Sequence, residues 1–384
     1  MSNPVSCLHP AQLRLDLEVR DLSDPAEGPH AIQLLVDRAV DALCRAWSCE
    51  VRWCRGPRIV PVADNYDRLG YAAEAITRDI RYTRYVDAVR MLRSHSTAMV
   101  PRALLQLAGE PGEEVLLACP GIVYRRDAID RQHTGTPHQL DLWRITRRVI
   151  GDDELDEMIA VLLDALLPGV AHRQQPRVHP YTLHGRQVDV SQDGRWVEVW
   201  ECGLAHPRVL AAAGLRGRSG LALGMGLDRL LMLSKHIPDI RLLRSRDPRI
   251  ARQMLDLARY QPVSAMPAIT RDLSIAVSED ADEETLGDRV REALGAEASC
   301  VEEVRVLSAT AWQQLPAAAI RRLGATPGQK NLLVRVVLRD LDQTITSEAA
   351  NVLRDRIYRA LHQGTEHQWA GAQSHLRERR CRSE

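Results

Sequence analysis

The chain has 384 residues, of which 45% are hydrophobic and 27% charged, and its 51 basic side chains balance its 51 acidic ones. This composition excludes a globally disordered chain and a polycationic nucleic-acid binder, although it permits a local basic face. Apolar runs stay well short of the ~20 residues of a membrane span, and the first 24 residues lack the apolar core of a signal peptide. We therefore expect a cytoplasmic protein of two or three domains that is not bound to a membrane.

The first part of the chain mixes helical and strand-like patterns. Apolar residues spaced as on one helix face predict a helix over 32–47. Residues 114–200 are mainly strand-like, with a helical stretch near 155–167 and an alternating strand at 196–200. A strand, a glycine-rich turn and a helix then follow around Gly226.

A linker with two prolines, residues 261–267, precedes a second pattern. It predicts a strand at 272–277, a helix at 284–294, strands at 301–307 and 332–338, a helix from Ser347 and a terminal extended piece. This is the order of a ferredoxin-like domain. The last residues, 372–384, form a basic tail.

The aromatic and sulfur-containing residues are also informative. The chain has 7 Trp and 8 Tyr but no Phe. A GC-rich genome explains only part of this absence, since it would make the codons of Tyr and Ile rare as well, and both residues are present. Because aromatic side chains supply much of the burial energy of a core, the absence of Phe indicates selection. The eight cysteines lack the paired spacing of a zinc site, which favours free thiols in a reducing compartment.

One charged stretch carries candidate phosphate ligands. The run from Pro120 to Asp141 places Arg125, Arg126, Asp127, His133 and Gln139 in a predicted strand-loop-strand hairpin. A fixed guanidinium neutralises a phosphate, and a nearby imidazole and carboxylate position the rest of a nucleotide. An exposed hairpin with ordinary salt bridges is an equally good interpretation of this stretch alone.

A second stretch, Gly220-Leu-Ala-Leu-Gly-Met-Gly-Leu-Asp-Arg229, is rich in glycine. Its glycines allow the backbone to approach a ligand closely, and Arg229 stands at the start of the following helix. Such spacing also occurs in tight turns and buried strands, so this stretch is weak evidence by itself.

Together and in this order, the two stretches resemble motifs of the class II aminoacyl-tRNA synthetases, and within that class the phenylalanyl-tRNA synthetases of single-chain, mitochondrial type. Tyr124-Arg-Arg-Asp-x-Ile-Asp-x-Gln-His133 is similar to motif 2, and Gly220 to Arg229 is similar to motif 3. Further similar segments are Leu92-Arg-Ser-His-Ser-Thr97, Trp196-Val-Glu-Val with Cys202-Gly203, Gly56-Pro57 with Asn65-Tyr66-Asp67 as a degenerate motif 1, and Pro267-Ala-Ile-x-Arg-Asp-Leu-Ser274.

This resemblance implies an α+β fold, in which an antiparallel class II sheet flanked by helices is followed by a ferredoxin-like anticodon-binding domain. The expected parts are an N-terminal segment at 1–29, a catalytic domain at 30–260, the linker at 261–267, the anticodon-binding domain at 268–371 and the basic tail at 372–384. Monomers are expected rather than homodimers, and no separate β subunit is expected to be needed.

The resemblance also implies the residues that bind ATP. Arg125 would hold the α-phosphate and the charge of the transition state, Arg229 would cover the adenine, and His133 and Asp127 would contact the outer phosphates and orient the nucleotide. Magnesium would bridge phosphate oxygens, with no protein side chain assigned as its ligand.

The amino acid would be held by two further sets of residues. His95, Thr97 and Gln139 would bind its ammonium and carboxylate ends, together with Asp141, which stands where the family has Glu.

The side chain would lie against His179, Tyr181, Ala222 and Gly224, where the family's Phe-Pro-Phe-Thr is here His179-Pro-Tyr-Thr182. Glu201 replaces a family Gly beside this pocket. These polar replacements are either tolerated or favour a substituted ring over phenylalanine.

The function that the resemblance implies is a phenylalanine--tRNA ligase, which activates phenylalanine with ATP and transfers it to tRNA(Phe). Three alternatives stay open: the same chemistry on a phenylalanine analogue or another aromatic amino acid, a non-catalytic paralogue that binds tRNA or amino acid, and a ligase that serves biosynthesis. Because the chain itself contains no Phe, it could be translated when charged phenylalanine-tRNA is scarce, and we expect a rescue or self-resistance copy.

Overall fold

The computed structural model describes residues 7–79, 83–109, 112, 114–263 and 266–367. These residues form two compact units. The first unit contains the described residues up to Arg125 and the segment Gly135–Gln261, and the second contains Arg126–Thr134 and the described residues from Pro262 onward. The predicted basic tail lies outside the described residues, as do Ser264 and Ala265 of the predicted linker.

The helices of the described ranges are numbered in chain order. They are α1 Pro10–Glu18, α2 Ala31–Trp47, α3 Val62–Asn65, α4 Val100–Leu107, α5 Asp152–Leu166, α6 Pro207–Ala212, α7 Leu227–Lys235, α8 Pro248–Ala251, α9 Glu283–Leu294, α10 Ala317–Leu323 and α11 Ser347–Leu361. None of them is long and apolar enough to cross a membrane.

The strands are numbered in the same way. They are β1 Glu50–Trp53, β2 Ile59–Pro61, β3 Arg90–Leu92, β4 Glu114–Ile122, β5 His138–Thr146, β6 His172–Pro176, β7 Thr182–Gln192, β8 Arg195–Ala205, β9 Ser219–Gly226, β10 Ile269–Ser278, β11 Val301–Ala311 and β12 Gln329–Leu338.

The first unit is built on a seven-stranded sheet with the order β1-β4-β5-β9-β8-β7-β6. Only β1 and β4 pair in parallel, and the other neighbours are antiparallel. Helix α2 contacts both α5 and α7, and α7 contacts β5 while α5 contacts β8. This arrangement confirms the predicted α+β fold with a mainly antiparallel sheet flanked by helices.

Helix α2 shows why the apolar periodicity was informative. Its buried residues recur every three or four positions, from Ile32 to Trp47, so one face lies in the core and the other faces solvent. The helix ends at Ser48, which adopts a left-handed conformation with φ of 51° and donates its N–H to the carbonyl of Cys44. The predicted helix over 32–47 is therefore confirmed.

The glycine-rich stretch 220–226 was predicted as a turn, and this was wrong. It is strand β9, which pairs with β5 on one side and β8 on the other before α7 begins at Leu227. A Cβ atom on Gly220 would lie 2.4 Å from the carbonyl oxygen of Arg144, so the close approach of two strands requires a glycine there.

The second unit contains the three-stranded antiparallel sheet β10-β12-β11. The buried faces of α9 and α11 join the inner faces of the strands in one apolar core. The predicted terminal extended piece does not form a strand within residues 362–367, and the rest of it lies outside the described residues. Gln363 nevertheless donates its N–H to the carbonyl of Ala276 on β10, at 2.8 Å.

Residues 126–134 belong to the second unit although the sequence placed them in the catalytic domain. Ile129 is buried in the core of that unit, and its carbonyl accepts the N–H of Val304 at 2.8 Å. A Cβ atom on Gly287 would lie 2.6 Å from the carbonyl oxygen of Asp127, so α9 needs a glycine where this segment packs. Contacts between residues far apart in sequence thus decide that residues 126–134 belong to the second unit.

Candidate active site

The sheet of the first unit has a nearly bare strip on one face. Asp141 on β5, Gly224 on β9 and Glu201 on β8 lie opposite one another in register, so their side chains share a face. In the next row, Trp143 lies opposite Ala222, and Ala222 lies opposite Gly203. We call this strip the trough: its floor is Gly203, Ala222, Gly224 and Gly226, and its ends are Asp141 and Glu201.

Asp141 forms the first end of the trough and is fully enclosed. Its Oδ2 accepts the hydroxyl of Ser96 at 2.5 Å, and its Oδ1 accepts the indole N–H of Trp143 at 3.4 Å. Burial raises the pKa of Asp141 to about 6, and hydrogen bonds from Ser96, Thr97 and Trp143 oppose this rise only in part. The backbone N–H of Ser96 donates to Oε1 of Gln139 at 3.1 Å, which fixes Gln139 beside the carboxylate.

His95 lies beside this end and is neutral. Burial, together with the nearby Arg125, lowers the pKa of His95 to about 3. The amide nitrogen of Asn65 is 3.3 Å from Nε2, so we infer that Nε2 accepts and that Nδ1 carries the proton. Nδ1 is buried without a hydrogen-bond partner among the described residues, which makes it a donor available to a ligand.

Arg125 is held at the edge of the first unit by its backbone and by Nε. Its N–H donates to the carbonyl of Gly135 at 3.0 Å, its carbonyl accepts Nη2 of Arg84 at 3.1 Å, and its Nε donates to the carbonyl of Ser94 at 2.7 Å. These contacts orient the guanidinium and use only one of its nitrogens, so the terminal nitrogens can face a phosphate.

Arg229 lies in the first turn of α7, half-buried. Its Nη1 lies 3.4 Å from the carbonyl oxygen of Glu198 on β8. The preceding residue, Asp228, instead points into the core, where it contacts Nδ1 of His138 at 3.0 Å.

Aromatic rings line the trough between its two ends. Tyr181 stacks on Trp143 at 6.0 Å and on His179 at 5.3 Å between ring centroids. Tyr71 lies 6.2 Å from Tyr181 and stacks on His95 at 5.9 Å. The rings give the trough an apolar wall against which a flat side chain can pack.

Glu201 forms the second end of the trough. Its Oε2 lies 2.8 Å from Nε2 of His179, and its Oε1 lies 2.6 Å from Nε of Arg177. Burial alone raises the pKa of Glu201, but His179 and Arg177 outweigh that effect and lower it. Glu201 is therefore an ionised carboxylate at neutral pH.

The structure thus brings most of the predicted site residues together within the first unit. They are Arg125 and Arg229 for the nucleotide, and His95, Thr97, Gln139, Asp141, His179, Tyr181, Ala222 and Gly224 for the amino acid. Asp127 and His133 lie in the second unit, where Nδ1 of His133 is 2.7 Å from Oδ2 of Asp130, and their roles stay predictions.

Three residues of the site were missed by the sequence. Ser96 stands between two predicted ligands, His95 and Thr97, and this position could have indicated it. Asn65 lies in the segment that resembles motif 1, which could have indicated it. Tyr71 had no such signal, because its contact with His95 joins segments distant in sequence.

Comparisons with known proteins mainly match the first unit. The family model described as the tRNA synthetases class II core domain (F) matches residues 14–254. A phenylalanine--tRNA ligase alpha subunit of Nostoc punctiforme is 29% identical over 255 residues, which are 64% of this chain and 75% of that protein. The same-named proteins of Nostoc sp. and Psychrobacter arcticus are 30% identical over 249 residues each, covering 63% and 62% of this chain and 73% and 68% of theirs.

Proposed function

We propose that this chain, which belongs to the family of class II tRNA synthetases, activates an aromatic amino acid of the phenylalanine class with ATP and transfers it to the 3′ end of tRNA(Phe). The observation that carries the proposal is the trough: Ser96 donates to its enclosed carboxylate, Asp141, and two residues earlier the carbonyl of Ser94 accepts Nε of Arg125 and orients its guanidinium. The relatives named as phenylalanine--tRNA ligases support the amino-acid class.

In this proposal the amino acid lies along the trough. Its ammonium group pairs with Asp141, whose carboxylate has only neutral hydrogen-bond donors in the protein. Its carboxylate accepts from Nδ1 of His95 or from the amide of Gln139, and its ring packs against Tyr181 above Ala222. Burial of the ionised Asp141 is unfavourable without a ligand. Binding of the ammonium group is therefore favoured, because it neutralises this buried charge.

ATP is positioned by arginine side chains. Arg125 neutralises the α-phosphate as the amino-acid carboxylate attacks it and the bond to the β-phosphate breaks, so that the adenylate forms and pyrophosphate leaves; Arg229 lies beside the base. This is catalysis by orientation and charge stabilisation, with no covalent bond to the enzyme. The described residues contain no cluster of three His, Cys, Asp or Glu side chains able to hold a metal ion, so Mg²⁺ would be held mainly by phosphate oxygens and would neutralise their charge.

The direct test is ATP–pyrophosphate exchange with the purified chain. We expect exchange that depends on an aromatic amino acid and that falls at least about 100-fold in Arg125→Ala, the usual effect of removing one transition-state donor. Arg102→Ala on the exposed side of α4 is the matched control and retains exchange. Saturable binding of aromatic amino acids without any exchange would instead favour the non-catalytic paralogue.

We also propose that the second unit binds the tRNA anticodon and that the chain acts as a monomer without a β subunit. The sheet β10-β12-β11 supports this, because helices cover one face and Arg305 and Arg335 lie in register on the other. The purified chain alone is expected to charge tRNA(Phe) and to elute as a monomer. Charging that requires a second type of subunit would contradict this, and the relatives' name of alpha subunit makes that control necessary.

The biological role that we propose is a rescue or self-resistance copy of the enzyme. Its support is the sequence itself, which contains no Phe in 384 residues and has Leu221, Leu223 and His179 where the family it resembles has Phe. Cells that lack the gene are expected to become more sensitive to phenylalanine starvation or to toxic phenylalanine analogues. Unchanged growth under both conditions would contradict the role without affecting the enzymatic proposal.

A further inference from the structure

The second end of the trough is a charged group that the activation chemistry does not use. Asp141 and Glu201 lie in one row across β5, β9 and β8, separated by Gly224, which has no side chain. Their Cα atoms are two strand spacings apart, about 10 Å. An aromatic amino acid spans a similar distance from its ammonium group to a hydrogen-bond partner at the far edge of its ring.

The side chains of Asp141 and Glu201, at the two ends of the trough, border the same space above its floor. A Cβ atom on Gly224 would lie 3.5 Å from Oδ2 of Asp141, so that carboxylate leans over the floor. The ring of Tyr181 links the ends: it stacks on Trp143, whose indole donates to Asp141, and on His179, whose Nε2 contacts Glu201. Glu201 therefore faces the side-chain half of the trough.

Oε1 of Glu201 is ion-paired with Arg177 but can accept a further donor, because a carboxylate oxygen has two lone pairs. Oε2 contacts Nε2 of His179 at 2.8 Å, so His179 holds the carboxylate in place. Oε1 lies 2.6 Å from Nε of Arg177 as an ion pair, yet it is buried and no donor of the described residues reaches it with the direction of a hydrogen bond. Buried carboxylate oxygens are normally hydrogen-bonded, so Oε1 is suited to a ligand donor.

We propose, building on the proposed function, that the trough selects aromatic amino acids whose ring carries a hydrogen-bond donor, a hydroxyl or an amino group, which Glu201 Oε1 accepts. Glu201 is then the residue that determines specificity, and His179 positions it. An unsubstituted or methylated ring leaves the carboxylate oxygen without a donor, and a site built around such a bond discriminates strongly against analogues that lack it.

The test compares tyrosine, 4-aminophenylalanine, phenylalanine and 4-methylphenylalanine in ATP–pyrophosphate exchange. The methyl group of 4-methylphenylalanine occupies the same position as the tyrosine hydroxyl but cannot donate. We expect kcat/KM to be about 10- to 100-fold higher for the two donor-bearing rings than for 4-methylphenylalanine, the range for a hydrogen bond to a charged group.

The conservative variant Glu201→Gln tests the residue itself. The Gln carbonyl takes the place of Oε2 and accepts from Nε2 of His179, so its NH₂ group takes the place of Oε1, the acceptor that faced the ring. Arg177, which is half-exposed, then loses its ion pair and turns to solvent. The preference for donor-bearing rings is expected to fall below about 3-fold, most clearly for 4-aminophenylalanine, because its ring amine would face the new NH₂ group, whereas the tyrosine hydroxyl can also accept. Asp193→Asn, at the exposed turn between β7 and β8, is the control and keeps the wild-type preference.

Two failures are distinguishable. Equal use of tyrosine and 4-methylphenylalanine, or an unchanged preference in Glu201→Gln, would overturn this inference and leave the proposed function standing. If no amino acid supports exchange, the proposed function fails, and the shift in melting temperature with each amino acid decides the inference. A larger shift with tyrosine than with 4-methylphenylalanine, lost in Glu201→Gln, supports it, and equal shifts overturn it.

Discussion

Asp228 and Asp141 are buried to a similar extent in the first unit, with 4% and 2% of their surface exposed, but their surroundings move their pKa values in opposite directions. Burial alone raises the pKa of Asp228, yet its interactions with His138 and the nearby Arg244 outweigh burial and lower it. The N–H of Leu22 donates to Nε2 of His138 at 3.0 Å, which directs the Nδ1 proton toward Asp228.

Asp141 has only neutral donors around it. Ser96, Thr97 and Trp143 offset burial incompletely, and its pKa rises to about 6. The comparison teaches that a buried carboxylate with strong partners stabilises the fold, whereas one without a cation is available to a cationic ligand. Four changes test this difference, from the largest expected effect to the smallest.

Asp228→Ala should destabilise the first unit by about 3–5 kcal/mol, because it leaves the buried His138 without its acceptor and removes the negative charge near the buried Arg244. Urea unfolding followed by tryptophan fluorescence measures the loss. Asp153→Asn, on the exposed first turn of α5, is the control and should change stability by less than about 0.5 kcal/mol. If Asp228→Ala were as stable as wild type, Asp228 would not stabilise the fold, and the contrast with Asp141 would be wrong.

Asp141→Asn should stabilise the first unit, whereas Asp228→Ala destabilises it. Because the folded pKa of Asp141 lies above its unfolded value, the ionised form opposes folding at neutral pH, and the neutral Asn removes that cost of about 1–3 kcal/mol. The same change removes the ammonium partner, so the amino-acid KM should rise at least about 10-fold. A variant that is less stable than wild type by urea unfolding would show that Asp141 is structural.

The pH dependence sharpens the assignment to Asp141. As pH falls through about 6, the carboxylate is protonated, so amino-acid kcat/KM should decrease and the melting temperature should gain a contribution from this group. Ser96→Ala removes a hydrogen bond that lowers the pKa, so the acid limb should move to higher pH. Exchange rates between pH 5 and 8 measure this, and an acid limb that is unmoved in Ser96→Ala would contradict it.

Gly224→Ala should give the smallest effect. The added methyl group would lie 3.5 Å from Oδ2 of Asp141, an ordinary van der Waals contact, so stability should change by less than about 1 kcal/mol. The methyl group narrows the floor of the trough, and the amino-acid KM should rise several-fold. An unchanged KM, measured beside wild type in the same exchange assay, would mean that the substrate does not lie over this row.

Local patterns of the sequence were sufficient for several elements. The helical spacing in 32–47 and the alternation in 196–200 correspond to α2 and to part of β8. In α2 the spacing was informative because one face of the helix is buried. Glycine spacing was misleading in 220–226, since a turn and a strand in close contact with its neighbours both require residues without a side chain.

The sequence by itself determined the family resemblance, the α+β class and most of the candidate ligands, because these depend on residue types at fixed local spacing. Only the tertiary structure decided that Asp141, Gly224 and Glu201 form one row, since strand register is a contact between segments up to 83 residues apart, from 141 to 224. It likewise decided that Ile129 joins the second unit and that burial raises the pKa of Asp141, because desolvation depends on everything that packs around a side chain.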